Sequence, residues 1–222
     1  MTRKQIDIGE EVGTKKTFVW ATEWPGWSRG GKDRDLAIEA FLASAPRYAK
    51  VARRADLPFG EVRADDLHTV TTTTGSAGTD FGIPYEIVDD DRRPVTAKEA
   101  ERLASLVKAA WAELEAIAKR TPATLRKGPR GGGRDRDKML DHVIGADHAY
   151  ALECGVKLPA GSLGDRKAVL GERRAVLEVL GAPSDGSPLA GRKWPLRYAA
   201  RRIAWHALDH AWEMEDRTEP EG

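Results

Sequence analysis

The chain has 222 residues, of which 41% are hydrophobic and 32% charged, a composition typical of a globular protein rather than a disordered one. Its 36 basic and 35 acidic residues nearly balance, so we expect neither nucleic acid nor a membrane as partner. The single cysteine, Cys154, excludes an internal disulfide. No apolar run approaches the roughly 18 residues of a membrane span, and no signal-peptide core opens the chain, so we expect a cytoplasmic protein.

Residues 1–94 have the pattern of a small α+β domain. A helix is expected where apolar residues recur at helical spacing, with Asp33 or Asp35 as its cap and a kink at Pro46. Strands are expected where β-branched and aromatic residues cluster, and turns where Pro and Gly do. The predicted elements are a strand at 15–20, a Pro-Gly turn at 23–27, a second turn at 29–33, a helix at 36–55, a strand at 70–74 and an extended segment at 81–88.

Residues 95–222 predict an all-α domain that follows an acidic, Pro-ended hinge at 89–94. Thr96-Ala97-Lys98-Glu99 is a capping box, and apolar residues then recur every three or four positions. Four amphipathic helices without strands between them predict a four-helix bundle. Their expected positions are 97–118, 135–153, 162 or 165 to 180, and 195–217, with a Gly/Pro/Ser-rich loop at 181–194.

The last of these helices contains Trp205-His206-Ala207-Leu208-Asp209-His210, with two histidines four residues apart. On a helix, residues i and i+4 project from one face about 6 Å apart, so two imidazoles at this spacing can share one metal ion. The alternative is that two of the five histidines fell four apart by chance. The spacing alone leaves both interpretations open.

A third candidate ligand is His142, in the second predicted helix of the bundle and flanked by apolar residues. A histidine in that setting is commonly part of the packing without binding a metal. A bundle nevertheless brings its second and fourth helices within reach, and three imidazoles leave one position of a tetrahedral ion open, as in catalytic zinc sites. His148 is excluded because it lies six residues from His142, about 240° around the helix. His68 lies in the other predicted domain.

Asp141-His142-Val143 early in one helix and Trp205–His210 in the last resemble the DinB-like metalloenzymes. This group includes mycothiol-dependent maleylpyruvate isomerases and bacillithiol transferases, and the resemblance covers about residues 97–217. It implies that His142, His206 and His210 bind one divalent ion, zinc or nickel ahead of iron. Asp209, Glu213 and Arg202 are then candidates for contacts to the ligands, with ordinary surface pairs as the alternative.

A second resemblance covers residues 18–52, which are similar to the HicB-like antitoxin fold. In that family a strand, a Pro-Gly turn, a glycine and an amphipathic helix follow one another. The matching residues here are Phe18-Val19-Trp20, Pro25-Gly26-Trp27, Gly30 or Gly31, and Leu36-Ala37-Ile38-Glu39-Ala40. This short motif bears on the local fold only and does not make the chain an antitoxin.

The segment at residues 126–135 joins three successive glycines to four basic residues before a helix. Bare backbone N–H groups and positive charge suit an anion, so Arg130 and Arg134 are candidates for binding a carboxylate or phosphate of a thiol cofactor. The alternative is a solvated connection between two helices. The Lys-Ser/Thr ending of a phosphate-binding P-loop is missing from this segment.

By this resemblance, the function we expect is that of a metal-dependent enzyme. It would use a low-molecular-weight, mycothiol-like thiol to transfer to or isomerise a small electrophile. The alternatives are a stress-linked binding or regulatory module with a structural metal, and a metal-dependent hydrolase. A small-molecule substrate is the expected partner, and association into a homodimer is left open.

Overall fold

The computed structural model describes residues 5–127 and 133–218. Within these residues the chain forms four β-strands and seven α-helices. The strands are β1 (Ile6–Val12), β2 (Thr17–Ala21), β3 (Ser28–Gly31) and β4 (Leu67–Thr74). The helices are α1 (Arg34–Ala43), α2 (Ala45–Arg54), α3 (Ala77–Phe81), α4 (Ala97–Arg120), α5 (Arg136–Glu153), α6 (Arg166–Leu180) and α7 (Leu196–Arg217).

The strands form one mixed sheet in the order β3-β2-β1-β4, in which only β1 and β4 are parallel. The predicted strands at 15–20 and 70–74 are confirmed as β2 and β4. Strand β1 was not predicted, because its acidic residues are not typical of a buried strand. Glu10 is 4% exposed and pairs with Arg34, and Glu11 is fully buried and accepts hydrogen bonds from the backbone N–H groups of residues 85 and 86. The turn expected at 29–33 is wrong in its first part, because residues 29–31 belong to β3.

The predicted helix at 36–55 is present as two helices, because the helix is interrupted at Ser44 between α1 and α2. Asp33 caps α1 as expected by accepting a hydrogen bond from the backbone N–H of Leu36. Pro46 lies in the first turn of α2, where its missing N–H costs no helical hydrogen bond. The extended segment expected at 81–88 is not a strand: residue 81 ends α3, and residues 83–88 have no regular structure.

The four predicted C-terminal helices are confirmed as α4 to α7, and Thr96 and Glu99 form the expected capping box of α4. The fold class predicted from them is nevertheless wrong. An all-α four-helix bundle following a separate α+β domain does not describe the structure, because α2 packs on α4, and residues of β2 and the β2–β3 turn pack on α7. One continuous hydrophobic core includes residues from both halves of the chain.

Helix α7 lies at the centre of this shared core, and 17 of its 22 residues are buried. The Pro-Gly turn between β2 and β3 packs directly against it: a Cβ on Gly26 would lie 2.9 Å from Ala204 and from Leu208. Gly26 also has a φ of +90°, which L side chains rarely adopt. Phe18 of β2 meets Trp205 of α7 edge to face, with ring centroids 6.2 Å apart. The sheet therefore fixes the position of α7.

The boundary predicted between residues 94 and 95 stays a prediction about separable folding units. Contacts that tie the preceding segment to the helices are buried. Asp91 accepts hydrogen bonds from Nε and NH2 of Arg201 in α7, and both side chains are buried. In the part of the chain that the structure describes, no helix is both long enough and apolar enough to cross a membrane.

Candidate metal centre

Three histidines meet where α5 packs against α7. His206 and His210 share one face of α7, as their spacing predicts, and His142 reaches them from α5. One ring nitrogen from each lies within 4.8 Å of the others, and the Nε2 atoms of His142 and His206 are 3.3 Å apart. Among the described residues this is the one group of three or more His, Cys, Asp or Glu side chains close enough to hold a metal ion.

The 3.3 Å separation is itself informative about a metal. Two nitrogens bound at about 2.05 Å to one tetrahedral ion lie about 3.3 Å apart. Two neutral imidazoles facing each other without an ion need one nitrogen to donate and the other to accept, and they bond best near 2.9–3.0 Å. This distance is compatible with two ligands of one ion, and three imidazoles are a donor set that binds divalent ions.

Glu213 contacts the imidazole of His210 through Nδ1. Its Oε2 lies 3.0 Å from Nδ1 of His210, and its Oε1 accepts a hydrogen bond from NH1 of Arg217 at 2.8 Å. The hydrogen bond to His210 is the largest cause that lowers the pKa of Glu213, so the carboxylate is ionised and can only accept. Nδ1 of His210 therefore carries the proton, and its Nε2 is left with a lone pair for an ion.

His206 is the most buried of the three, with 6% of its surface exposed. Burial lowers its pKa to about 2, and the neighbouring His210 and Arg202 act in the same direction. The ring is consequently neutral at physiological pH, the form in which imidazole binds a metal. Its Nδ1 is buried without a hydrogen-bond partner, so packing against the rings of Tyr150 and Trp205 holds it in place.

Of the other two residues expected to contact the ligands, neither touches a histidine through a hydrogen bond. Asp209 pairs with Arg29 of β3 at 3.0 Å, so it connects α7 to the sheet. Arg202 donates from NH2 to the hydroxyl of Tyr150 at 3.2 Å and lies over the rings of Tyr150 and Trp205. Both residues support the helix that carries the site rather than the imidazoles themselves.

The two arginines predicted to bind a cofactor have different outcomes. Arg130 lies outside the described residues. Arg134 is exposed just before α5, close enough to the cluster that its charge helps lower the pKa values of His142 and His206. For both histidines burial is the larger cause. The charge of Arg134 therefore acts on His142 and His206.

Sequence reasoning missed Tyr150 and Arg217 as parts of the site. The ring of Tyr150 lies edge-on to that of His206, with centroids 5.6 Å apart. Tyr150 lies eight residues after His142, about 80° around the helix, so a helical wheel places it near the ligand face. Arg217 follows Glu213 by four residues, a spacing that predicts an ion pair.

Two cavities lie near α5 and α7. One of about 570 Å³ lies between α1 and α7 and is lined by Asp209 and Glu213, so it reaches the carboxylate that contacts His210. The other, of about 330 Å³, lies between α4, α5 and α6. Leu140 and Ile144 line it, each two residues from His142 and therefore about 160° away around the helix. The second cavity thus faces away from the histidines.

His148 lies apart from the cluster, as predicted, and pairs with Glu172 at 2.7 Å. Because Glu172 is 3% exposed, we expect His148→Ala to lower the free energy of unfolding by about 1–3 kcal/mol while leaving the bound metal unchanged. Urea unfolding and metal analysis of the same sample measure the two effects. Loss of metal in this variant would mean that the ligand set is wrong.

Glu213→Ala removes the acceptor for the Nδ1 proton of His210. We expect the metal affinity to fall about 10–100-fold, the usual effect of losing a carboxylate that orients a ligating histidine. A competition titration with a chromophoric chelator measures it. Asp216→Ala is the matched control, since Asp216 is one turn further along α7 and pairs with Arg47. Complete loss of binding in Glu213→Ala would identify Glu213 as a direct ligand instead.

Comparison with known proteins gives no relative: no protein-family model, no curated protein and no solved structure matches the chain. The resemblances to DinB-like metalloenzymes and to the HicB-like fold therefore stay predictions. The class of site that the geometry defines is a cluster of three histidines that could hold one metal ion.

Proposed function

We propose that the chain is a metal-dependent enzyme that activates a low-molecular-weight thiol at an ion bound by His142, His206 and His210. The observation that supports this most is the ligand set itself. Three imidazoles converge, and among the described residues no fourth His, Cys, Asp or Glu joins them. Structural zinc sites are usually closed by four protein ligands, whereas catalytic sites keep one position open.

Imidazole ligands suit zinc and nickel, which are the ions we propose. Three neutral ligands leave the charge of a divalent ion undiminished, so such an ion would favour loss of the proton from a thiol at neutral pH. The chain's own contribution is to hold the three rings in place and to lower the pKa values of His142 and His206 through burial. Burial keeps His206 neutral, and the Glu213 carboxylate holds the proton of His210 on Nδ1.

The thiol must come from outside the chain. Cys154 is the single cysteine, it is 3% exposed, and burial raises its pKa to about 12, so it remains protonated and unreactive. A small thiol that carries a negative group would be attracted by the charge of Arg134, which acts on His142 and His206. The resemblance to mycothiol-dependent isomerases and bacillithiol transferases favours a mycothiol-like compound, with a small electrophile as the second substrate.

Cobalt substitution tests the proposal. We expect one equivalent of Co²⁺ to bind and a small thiol to add an intense sulfur-to-cobalt charge-transfer band in the near ultraviolet. The same thiol added to His206→Ala should give no band. A cobalt spectrum that does not change when thiols are added would favour a structural metal. Turnover of an ester or amide without added thiol would favour a hydrolase. Either result would contradict the proposed use of a thiol.

A further inference from the structure

A small cavity of about 10 Å³ lies between the sheet and α7, with room for one small ligand such as a water molecule or a monoatomic ion. It is separate from the histidine cluster and from the two larger cavities. Buried aromatic residues line it, including Trp20 and Trp27 from the sheet and Trp205 from α7. In such apolar surroundings a polar group has a strong need for a partner.

Three of the side chains that line this cavity have a buried polar atom without a hydrogen-bond partner. They are Ser28 with Oγ, Arg202 with NH1 and Trp205 with Nε1, and their residues are 4%, 7% and 5% exposed. The indole and guanidinium nitrogens can only donate, and the serine hydroxyl can donate as well. Unpartnered buried donors are rare in native proteins, so three around one cavity indicate a ligand that accepts hydrogen bonds.

The charge around the cavity favours an anion over a water molecule. Arg201 also lines it, but the buried carboxylate of Asp91 neutralises Arg201 through two hydrogen bonds. Arg202 has no such counter-charge: among the described residues its one hydrogen-bond partner is the Tyr150 hydroxyl, and no carboxylate lies within 4.0 Å. A buried charge without a partner is strongly unfavourable. Water would accept hydrogen bonds but would leave that charge uncompensated.

We propose that this cavity binds one monovalent anion of halide size, held by Ser28 Oγ, Arg202 NH1 and Trp205 Nε1. The anion accepts all three hydrogen bonds and neutralises the Arg202 guanidinium. Because Ser28 begins β3 and the other two residues belong to α7, the ion joins the sheet to the helix that carries His206 and His210. The site goes beyond the proposed function, since it does not depend on a metal or a thiol.

Crystals grown in sodium bromide test the site directly. We expect one anomalous bromine peak inside the cavity, within hydrogen-bonding distance of the three donor atoms. In solution, the melting temperature should rise by a few degrees when chloride or bromide replaces gluconate, which is too large to enter, at equal ionic strength. A water molecule in the cavity of bromide-grown crystals, or identical melting in the three salts, would overturn the proposal.

Trp205→Phe removes one donor while keeping an aromatic ring. We expect it to raise the halide concentration that gives half of the full rise in melting temperature about 10-fold, as for loss of a hydrogen bond to a charged group. Trp194→Phe is the matched control, because Trp194 does not line the cavity. Ser28→Ala gives the same test from the sheet if Trp205→Phe fails to fold. An unchanged halide response in the folded variants would contradict the assigned donors.

Discussion

Replacing His206 by alanine is expected to lower the zinc affinity at least about 100-fold, beyond the range seen when only a residue behind a ligand is lost. His206 is the ligand whose Nε2 lies 3.3 Å from that of His142, and its removal leaves two ligands on different helices. Two imidazoles alone do not form a stable zinc site. A titration of metal-free protein with zinc against a chromophoric chelator gives the affinity of each variant.

His68→Ala is the matched control for this loss. His68 is exposed on β4 and contacts Asp7, away from the cluster, so its variant should bind zinc as tightly as the wild type. His142→Ala and His210→Ala should behave as His206→Ala does. A His206→Ala protein that retains one tightly bound zinc per chain would show that the cluster is not the metal site.

The Asp91→Ala variant is expected to lose about 3–5 kcal/mol of unfolding free energy, the usual cost of leaving one partner of a buried ion pair alone. Asp91 is 3% exposed and accepts hydrogen bonds from Nε and NH2 of Arg201 at 2.8 and 2.7 Å. The guanidinium of Arg201 would keep its charge and its contact with the Glu86 carbonyl but lose its counter-charge. Urea unfolding followed by tryptophan fluorescence and by circular dichroism measures the change.

Asp89→Ala is the control from the same acidic segment. Asp89 is exposed, so its removal should change the unfolding free energy by less than about 0.5 kcal/mol. Equal stabilities of the Asp91→Ala and wild-type proteins would mean that the segment at 89–94 is a solvated hinge, as its acidic composition first indicates, and that the contact with Arg201 contributes nothing.

The helices that the sequence predicts well are those with an apolar stripe and a recognisable start. In α4, apolar residues recur every three or four positions after the Thr96–Glu99 capping box. Both features are local, so residues close in sequence were enough to place the helix. Strand β1 lacks such a signal, because Glu10 and Glu11 are buried only through partners far along the chain.

The predicted fold class was wrong because periodicity shows that a helix has an apolar face but does not show which elements cover that face. The pattern of α7 is compatible with a bundle helix. Its remaining faces are buried by contacts between distant residues, such as Gly26 against Ala204 and Phe18 against Trp205. Its arginines also look like a solvated face until Asp91 and Tyr150 are seen beside Arg201 and Arg202.

The candidate site, like the fold, was predicted only in part. The spacing of His206 and His210 is a local property of one helix, and the structure places both rings in one cluster. The meeting with His142 depends on the packing of α5 against α7, for which the sequence offered only a resemblance. The contact between Glu213 and His210 follows from their spacing of three residues on one helix. Arg217 holds the second carboxylate oxygen of Glu213, and this ion pair favours the contact with His210 over binding of a metal by Glu213.

X-ray absorption at the metal edge of purified, zinc-loaded protein tests the central claim most directly. The account predicts one zinc per chain with three imidazole nitrogens at about 2.0–2.1 Å and one further ligand from solvent. Added thiol should replace that ligand by a sulfur at about 2.3 Å. A zinc bound by four protein ligands, or protein without stoichiometric metal after loading, would contradict it.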